Sequence, residues 1–243
     1  MFNILPYLEE QALRDLGKGL QASDRIDAIV RRDATPISIM NCPTRRAAIP
    51  YPNSSSTTFR NSGRGDFHAR GDYAMNIGDT IGYEHWCFHF APNDYDDADA
   101  DPNWGPPSGF FSGISYCGSQ VRVTHVKDGT SHTYAIGERY LDPAHYADGA
   151  DSSDNAPMYA GLQQETYRST YFDDSVPPTS RSVRLPHRDK LELDLKEHFG
   201  SAHASGCYMS MCDGSVRLIP YDIDGHVHAR RGNRADGLNT SGF

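Results

Sequence analysis

Several short stretches carry residues that could do chemistry. Glu84-His85-Trp86-Cys87-Phe88-His89 would present His85, Cys87 and His89 on one face of a strand, and all three are competent transition-metal ligands. His226-Val227-His228 repeats that alternation. Neither stretch specifies a fourth ligand or the outer partners that orient metal-binding histidines, so both read first as ordinary histidines on partly buried strands. Asp97-Ala98-Asp99-Ala100-Asp101 alternates carboxylates, the hard oxygen donors that suit calcium. An EF-hand is excluded, because Pro102 stands where that loop needs Gly and Ser108 where it needs a bidentate Glu. A looser calcium site at Asp97, Asp99 and Asp101 is the one metal expectation that remains, beside the plainer reading of a solvated acidic loop.

Other chemistries lack their framework. Gly17-Lys-Gly-Leu-Gln-Ala22 has the spacing of a dinucleotide-binding turn, but it follows a helical segment instead of a strand, so it reads as a helix end. Gly109-Phe-Phe-Ser-Gly113 has the wrong spacing for a nucleophile elbow. Nothing brings a Ser, His and Asp together as a triad. The 23 Lys and Arg against 32 Asp and Glu leave a formal charge of −9, which excludes a phosphate-tracking nucleic-acid binder. The longest apolar run is three residues, as in Trp86-Cys87-Phe88, far short of the roughly 20 a membrane helix needs. Five cysteines include no C-x-x-C pair. Cys207 and Cys212 fall on opposite faces of one strand, so they do not bridge, and Cys87–Cys117 is the expected disulfide.

The elements that must position these residues follow from period and punctuation. Residues 1–16 predict a short amphipathic helix with Pro6 in its first turn, ended by Gly17 and Gly19. Residues 24–32 predict a second helix capped by Ser23. Thr35–Met40, Gln120–His125 and Thr133–Glu138 read as strands, and Asp128-Gly129 as a turn. Residues 50–66 and 91–108 read as exposed loops. Residues 142–190 are polar and without period, and are expected to form a long insertion. Cys207–Cys212, then Asp213-Gly214, then Ser215–Ile219 is a hairpin pattern, with Asp-Gly suited to a two-residue type I′ turn. The fold class is α+β: short N-terminal helices on a mainly antiparallel sheet with long loops, in one domain over 1–243, with the hairpin central in the sheet or nearly so.

Several of these segments share one pattern. His203 is followed after nine residues by Asp213-Gly214. Upstream stand Leu5-Pro-Tyr-Leu-Glu9, Met40-Asn-Cys-Pro43, Asp72-Tyr-Ala-Met-Asn76, Val126-Lys-Asp-Gly-Thr-Ser131, and Gly137-Glu138, and downstream Gly232-Asn-Arg-Ala-Asp-Gly237. In this order and spacing the chain resembles the bacterial family of pilin-like proteins of unknown function that end in a His-x9-Asp-Gly motif and are similar to pseudopilins. The resemblance runs from residue 5 to residue 237. Members of that family carry a hydrophobic helix before the Leu5–Glu9 segment; here Met1 stands four residues before Leu5, so no membrane contact is expected of this chain itself.

The resemblance implies a pseudopilin-like head domain and a cell-surface, extracellular or periplasmic location. It implies a non-enzymatic role through assembly or binding, with self-association or other surface proteins as partners, in a filament or a secretion-like system. It brings no catalytic residues and no cofactor. A structural role is expected for the motif residues: Asp213-Gly214 and Asp128-Gly129 as turns, His203 as a tie to loop backbone, and Glu138 with Arg234 as a buried ion pair. The alternative is a soluble module for sugar or calcium built on the loops around 83–111. There Trp86, Tyr95, Trp104 and Phe110 would stack on a ligand beside the three aspartates.

Overall fold

The computed structural model describes residues 2–54, 62–81, 100–101, 104–161 and 164–238. Two units divide the chain: Met1–Tyr73, Leu141–Thr166 and Lys190–Asp194 form one, and Ala74–Tyr140, Tyr167–Asp189 and Leu195–Phe243 the other. Short helices with a mixed sheet make the α+β class expected from the sequence.

In the first unit the N-terminal helix is broken. Phe2–Leu8 is a 3₁₀ helix and only Gln11–Arg14 (α1) is α-helical. Pro6 lies inside the first piece, lacks the N–H an α-helix would use, and disfavours α geometry at Leu5. Glu9 then reverses the chain at φ 62°. Gly17 and Gly19 follow with φ 90° and 76°, the left-handed geometry of a helix end, so the glycine-rich stretch is the stop its context predicts.

Ala22–Asp33 (α2) begins at Gln21, so Ser23 lies inside the first turn and does not cap it. Asp24 in that turn and Arg31 and Arg32 in the last both oppose the helix dipole. The expected strand at Thr35–Met40 is instead a 3₁₀ turn, Ser38–Met40, which buries Met40 and leaves Ile39 in solvent. Pro50–Pro52 (β1) pairs antiparallel with Phe67–Ala69 (β2), so the stretch read as a loop opens and closes in a ribbon. The unit's core is Leu5, Leu13, Ile37, Met40, Ala69, Met158 and Tyr159.

The second unit holds a five-stranded sheet. Tyr73–Asn76 (β3), Tyr134–Glu138 (β4), Tyr167–Arg168 (β5), Cys207–Met211 (β8) and Val216–Ile219 (β9) lie in the order β5-β3-β4-β8-β9. β8 runs antiparallel to both of its neighbours, β4 and β9, while β5 runs parallel to β3. His187–Arg188 (β6) and Gly200–Ser201 (β7) form a separate parallel pair. The 142–190 stretch, polar enough to read as an insertion, therefore supplies β5 and β6. Its Arg168 is fully buried, with the guanidinium donating to the carbonyls of His198 and Tyr167 at 2.7 Å each. A charge with that many fixed acceptors leaves no hydrophobic period for sequence reading to find.

The core of this unit is Tyr134, Phe199, Cys207, Met209, Met211 and Ile219. Gly137 faces it on β4, where a Cβ would collide with the Met209 sulfur, so the glycine is required by close packing. Gly225–Gly232 (α3) is capped by Asp224, whose carboxylate accepts the Val227 N–H at 3.0 Å. It buries His228 against Tyr134 and Phe199. Gln120–His125 is not a strand; Val123–His125 is a 3₁₀ turn with Val123 exposed.

The hairpin is present, with two corrections. Met211 N–H donates to Ser215 O at 2.8 Å and Gly214 N–H to Met211 O at 3.0 Å, so the loop is Cys212-Asp213-Gly214, three residues long. Gly214 takes φ 84°, and Asp213 is not among the residues with positive φ, whereas a type I′ turn needs two such residues in a row. Asp213 is spent on the loop instead: its Oδ1 accepts the Ser215 N–H and Oγ–H at 2.9 and 2.7 Å. The hairpin lies beside the middle strand, because β8 pairs with β4, and β9 ends the sheet among the described residues.

Candidate functional site

The motif residues of the second unit gather at β4 and β8. Glu138 ends β4 with only 2% of its surface exposed. One carboxylate oxygen accepts the Tyr208 N–H at 2.8 Å, and the other lies 3.3 Å from His203 Nε2. A buried carboxylate is tolerable only when donors meet it, and these two do. His203 is held in turn: its N–H donates to Ser201 Oγ at 3.2 Å, its carbonyl accepts the Tyr221 hydroxyl at 2.7 Å, and its ring meets Tyr208 edge-on at 5.5 Å. The expected Glu138–Arg234 pair is not formed. Arg234 donates instead to the carbonyls of Phe111 and Gly113 at 2.7 and 2.6 Å. Backbone oxygens in a bent loop offer a guanidinium the same acceptors without a second buried charge.

Asp128 does more than turn the chain. Its two oxygens accept the N–H groups of Asp236 and Gly237 at 2.8 and 2.9 Å, while Lys127 N–H donates to Arg234 O at 2.7 Å. Gly129 completes the turn at φ 97°. The segment after α3 is thus clasped to the Asp128-Gly129 turn. Asn76, at the end of β3, is a third tie. Its amide donates to Tyr134 O at 3.0 Å and Gly232 O at 2.8 Å, and its carbonyl accepts the Gly78 N–H at 2.8 Å.

The first unit hides a cluster that sequence reading did not single out. Asp72 accepts the Cys42 N–H at 2.8 Å and lies 2.7 Å from Arg46 and 3.5 Å from Arg45. Arg46 also pairs with Asp154, and Arg70 stands 3.8 Å from that same carboxylate. Burial opposes the Arg46 charge, but the carboxylates of Asp154 and Asp72 outweigh it and hold the guanidinium proton more tightly than usual. The signal was available: Arg45 and Arg46 follow the Met40–Pro43 segment, and Arg70 stands two residues before Asp72.

Other expected sites separate or fall elsewhere. His85, Trp86, Cys87, His89, Tyr95, Asp97 and Asp99 lie outside the described residues. Asp101 is exposed, and its carbonyl accepts the Trp104 N–H at 3.1 Å. Phe110 packs edge-on to Phe111, which is buried and stacked on Tyr116 at 5.4 Å, so these rings also serve the core. His226 and His228 lie on α3, not on a strand: His226 pairs with Asp174 at 2.8 Å on the surface, while His228 is fully buried. Cys117 is disulfide-bonded, and Cys42, Cys207 and Cys212 remain thiols. Burial, and then the Asp213 charge, push the Cys212 thiol up to about 11.

Outward from the Glu138–His203 tie, the hairpin presents apolar side chains to solvent. Tyr208 on β8 is 46% exposed, and Val216 and Leu218 on β9 are 64% and 43% exposed. Tyr208 sits directly opposite Leu218, and Ser210 opposite Val216, so these groups share one face of the sheet.

The family described as proteins of unknown function (DUF1559) matches residues 1–226, and the chain belongs to it. No curated protein and no solved structure matches the chain. No helix among the described residues is long and apolar enough to cross a membrane.

Proposed function

We propose that this protein is a pilin-like, non-enzymatic protein of the cell surface or extracellular space that acts by assembly or binding. The observation that carries the reading is the division of labour in the second unit. Glu138, His203, Asp128, Asp213 and Arg234 are spent on backbone ties and turns, while Tyr208, Val216 and Leu218 are left in solvent. Apolar side chains grouped on one sheet face are the ordinary signature of a contact surface. A disulfide at Cys117 fits an oxidising compartment. Partners are further copies of the chain or other surface proteins.

Two measurements test this. A membrane-impermeant label applied to intact source cells is expected to mark the protein without lysis. Sedimentation velocity of the purified chain, alone and with the source-cell surface fraction, is expected to show a species larger than the monomer. Labelling only after lysis, with a monomer throughout, would overturn the reading.

A further inference from the structure

β9 is the last strand of its sheet among the described residues, and its backbone pattern shows which groups face outward. Antiparallel pairs alternate between residues that exchange hydrogen bonds and residues that do not. Met211 donates to Ser215, so the next bonded pairs are Met209 with Arg217 and Cys207 with Ile219. Tyr208 N–H turns away from β9 to Glu138, as the alternation requires. The N–H and C=O groups of Val216 and Leu218 therefore point away from β8, toward an open strand position. Their side chains lie in solvent on the outer face.

Between them stands Arg217, on the opposite face and half-buried. Its charge helps to hold the Asp213 carboxyl low, after that group's own bonds to Ser215, but it forms no ion pair within the described residues. The edge thus offers outward backbone groups at two positions, apolar side chains at the same two, and a cation between. A second copy paired antiparallel about Arg217 would set Arg217 against Arg217, and like charges directly opposite are unfavourable. Charged residues on an edge are a common bar to self-pairing. Charge complementarity selects a different occupant.

We infer that the β9 edge docks an extended strand of another protein, with an acidic residue opposite Arg217 and apolar residues on either side. Main-chain bonds to Val216 and Leu218 would supply the attachment. The apolar neighbours would cover Val216, Leu218 and Tyr208, and the carboxylate would set the register. This rests on the binding reading above and names its surface and partner chemistry.

The probes are two capped peptides, Thr-Val-Glu-Val-Thr and Thr-Val-Lys-Val-Thr, titrated into the isotope-labelled full chain and followed by amide chemical shifts. The expected result is that the Val216 and Leu218 amides shift with the Glu peptide, with at least tenfold tighter binding than the Lys peptide. Arg217→Glu should invert that preference. Leu218→Pro should abolish binding, because it removes an outward N–H while leaving the β8 ladder intact. If that variant fails to fold, Arg217→Glu, which leaves both strands' backbone bonds in place, still decides.

Unmoved β9 amides, or a preference unchanged by Arg217→Glu, would overturn the proposal. So would concentration-dependent shifts of the β9 amides without peptide, which would make a second copy the occupant. Unmoved β9 amides in a chain that still sediments as an assembly would sink the docking site alone; unmoved amides in a monomer would sink both readings.

Discussion

Asn76 is the sharpest place to perturb the scaffold. Its side chain is fully buried and makes three hydrogen bonds, two as donor to Tyr134 O and Gly232 O and one as acceptor from Gly78 N–H. Asn76→Ala leaves all three backbone groups without that partner, and at about 1 kcal/mol for each the loss is about 3 kcal/mol. Asn76→Asp keeps the shape and the acceptor for Gly78 but turns the donor into a second acceptor facing two carbonyls. A buried carboxylate there disfavours its charge, so its folded-state pKa is raised above its unfolded value. The stability it retains is then present below the unfolded value near 4 and is lost as pH rises through the folded value. Urea unfolding at several pH values reads both effects from the midpoint, provided the slope stays constant. The Ala variant should lose about 3 kcal/mol at every pH. The Asp variant should lose at least as much at pH 7 and draw closer to the parent on acidification. An Ala variant within about 1 kcal/mol of the parent, or an Asp deficit independent of pH, would refute the argument.

Three further outcomes follow from buried charge. Burial, with Arg231 and Arg184 respectively as the next cause, pulls His228 and His198 down from 6.5 to about 3, so both fold neutral. Depressed folded values mean stability is whole above pH 6.5 and is lost as pH falls toward 3, by about 1.4 kcal/mol per pH unit for each histidine; His228→Leu should flatten the fall, and an unchanged slope would count against it. Asp154→Asn, which strips the Arg46 and Arg70 guanidinium groups of a shared buried carboxylate, should cost about 3–5 kcal/mol by the same unfolding assay. The Cys212 thiol, with its pKa pushed up to about 11, should alkylate at pH 7.5 far more slowly than glutathione, as mass spectrometry of timed iodoacetamide samples would show.

The sheet was legible where hydrophobic alternation was strong. The patterns at Thr133–Glu138, Cys207–Cys212 and Ser215–Ile219 predict β4, β8 and β9, and each stands in the sheet, with β8 ending at Met211. The failures have physical causes. Thr35–Met40 and Gln120–His125 alternate like strands but form 3₁₀ turns, because alternation says nothing about whether an edge is there to pair with. β5 and the buried Arg168 were hidden because their satisfaction comes from carbonyls distant in sequence. Asp213-Gly214 marks the hairpin turn in the sequence but not its type, since one extra residue in the loop changes which positions need positive φ. At the candidate site, His203 and Glu138 were singled out separately, and the structure pairs them with each other. Opposite charge suggests a Glu138–Arg234 pair, but the carbonyls of Phe111 and Gly113 take the Arg234 guanidinium instead. Alternating strand residues at 207–219 did contain the exposed face, since every second position there points away from the core.

On the proposed reading, the motif residues hold the scaffold while the outer face of the hairpin carries the function. Sedimentation velocity of gently released source-cell complexes, comparing the parent with Leu218→Asp, tests it most directly. Leu218 is exposed and outside the core, so the substitution should leave the unfolding midpoint unchanged. The parent should sediment in an assembly larger than the monomer, and Leu218→Asp should sediment as a folded monomer. Identical sedimentation of the two would contradict it.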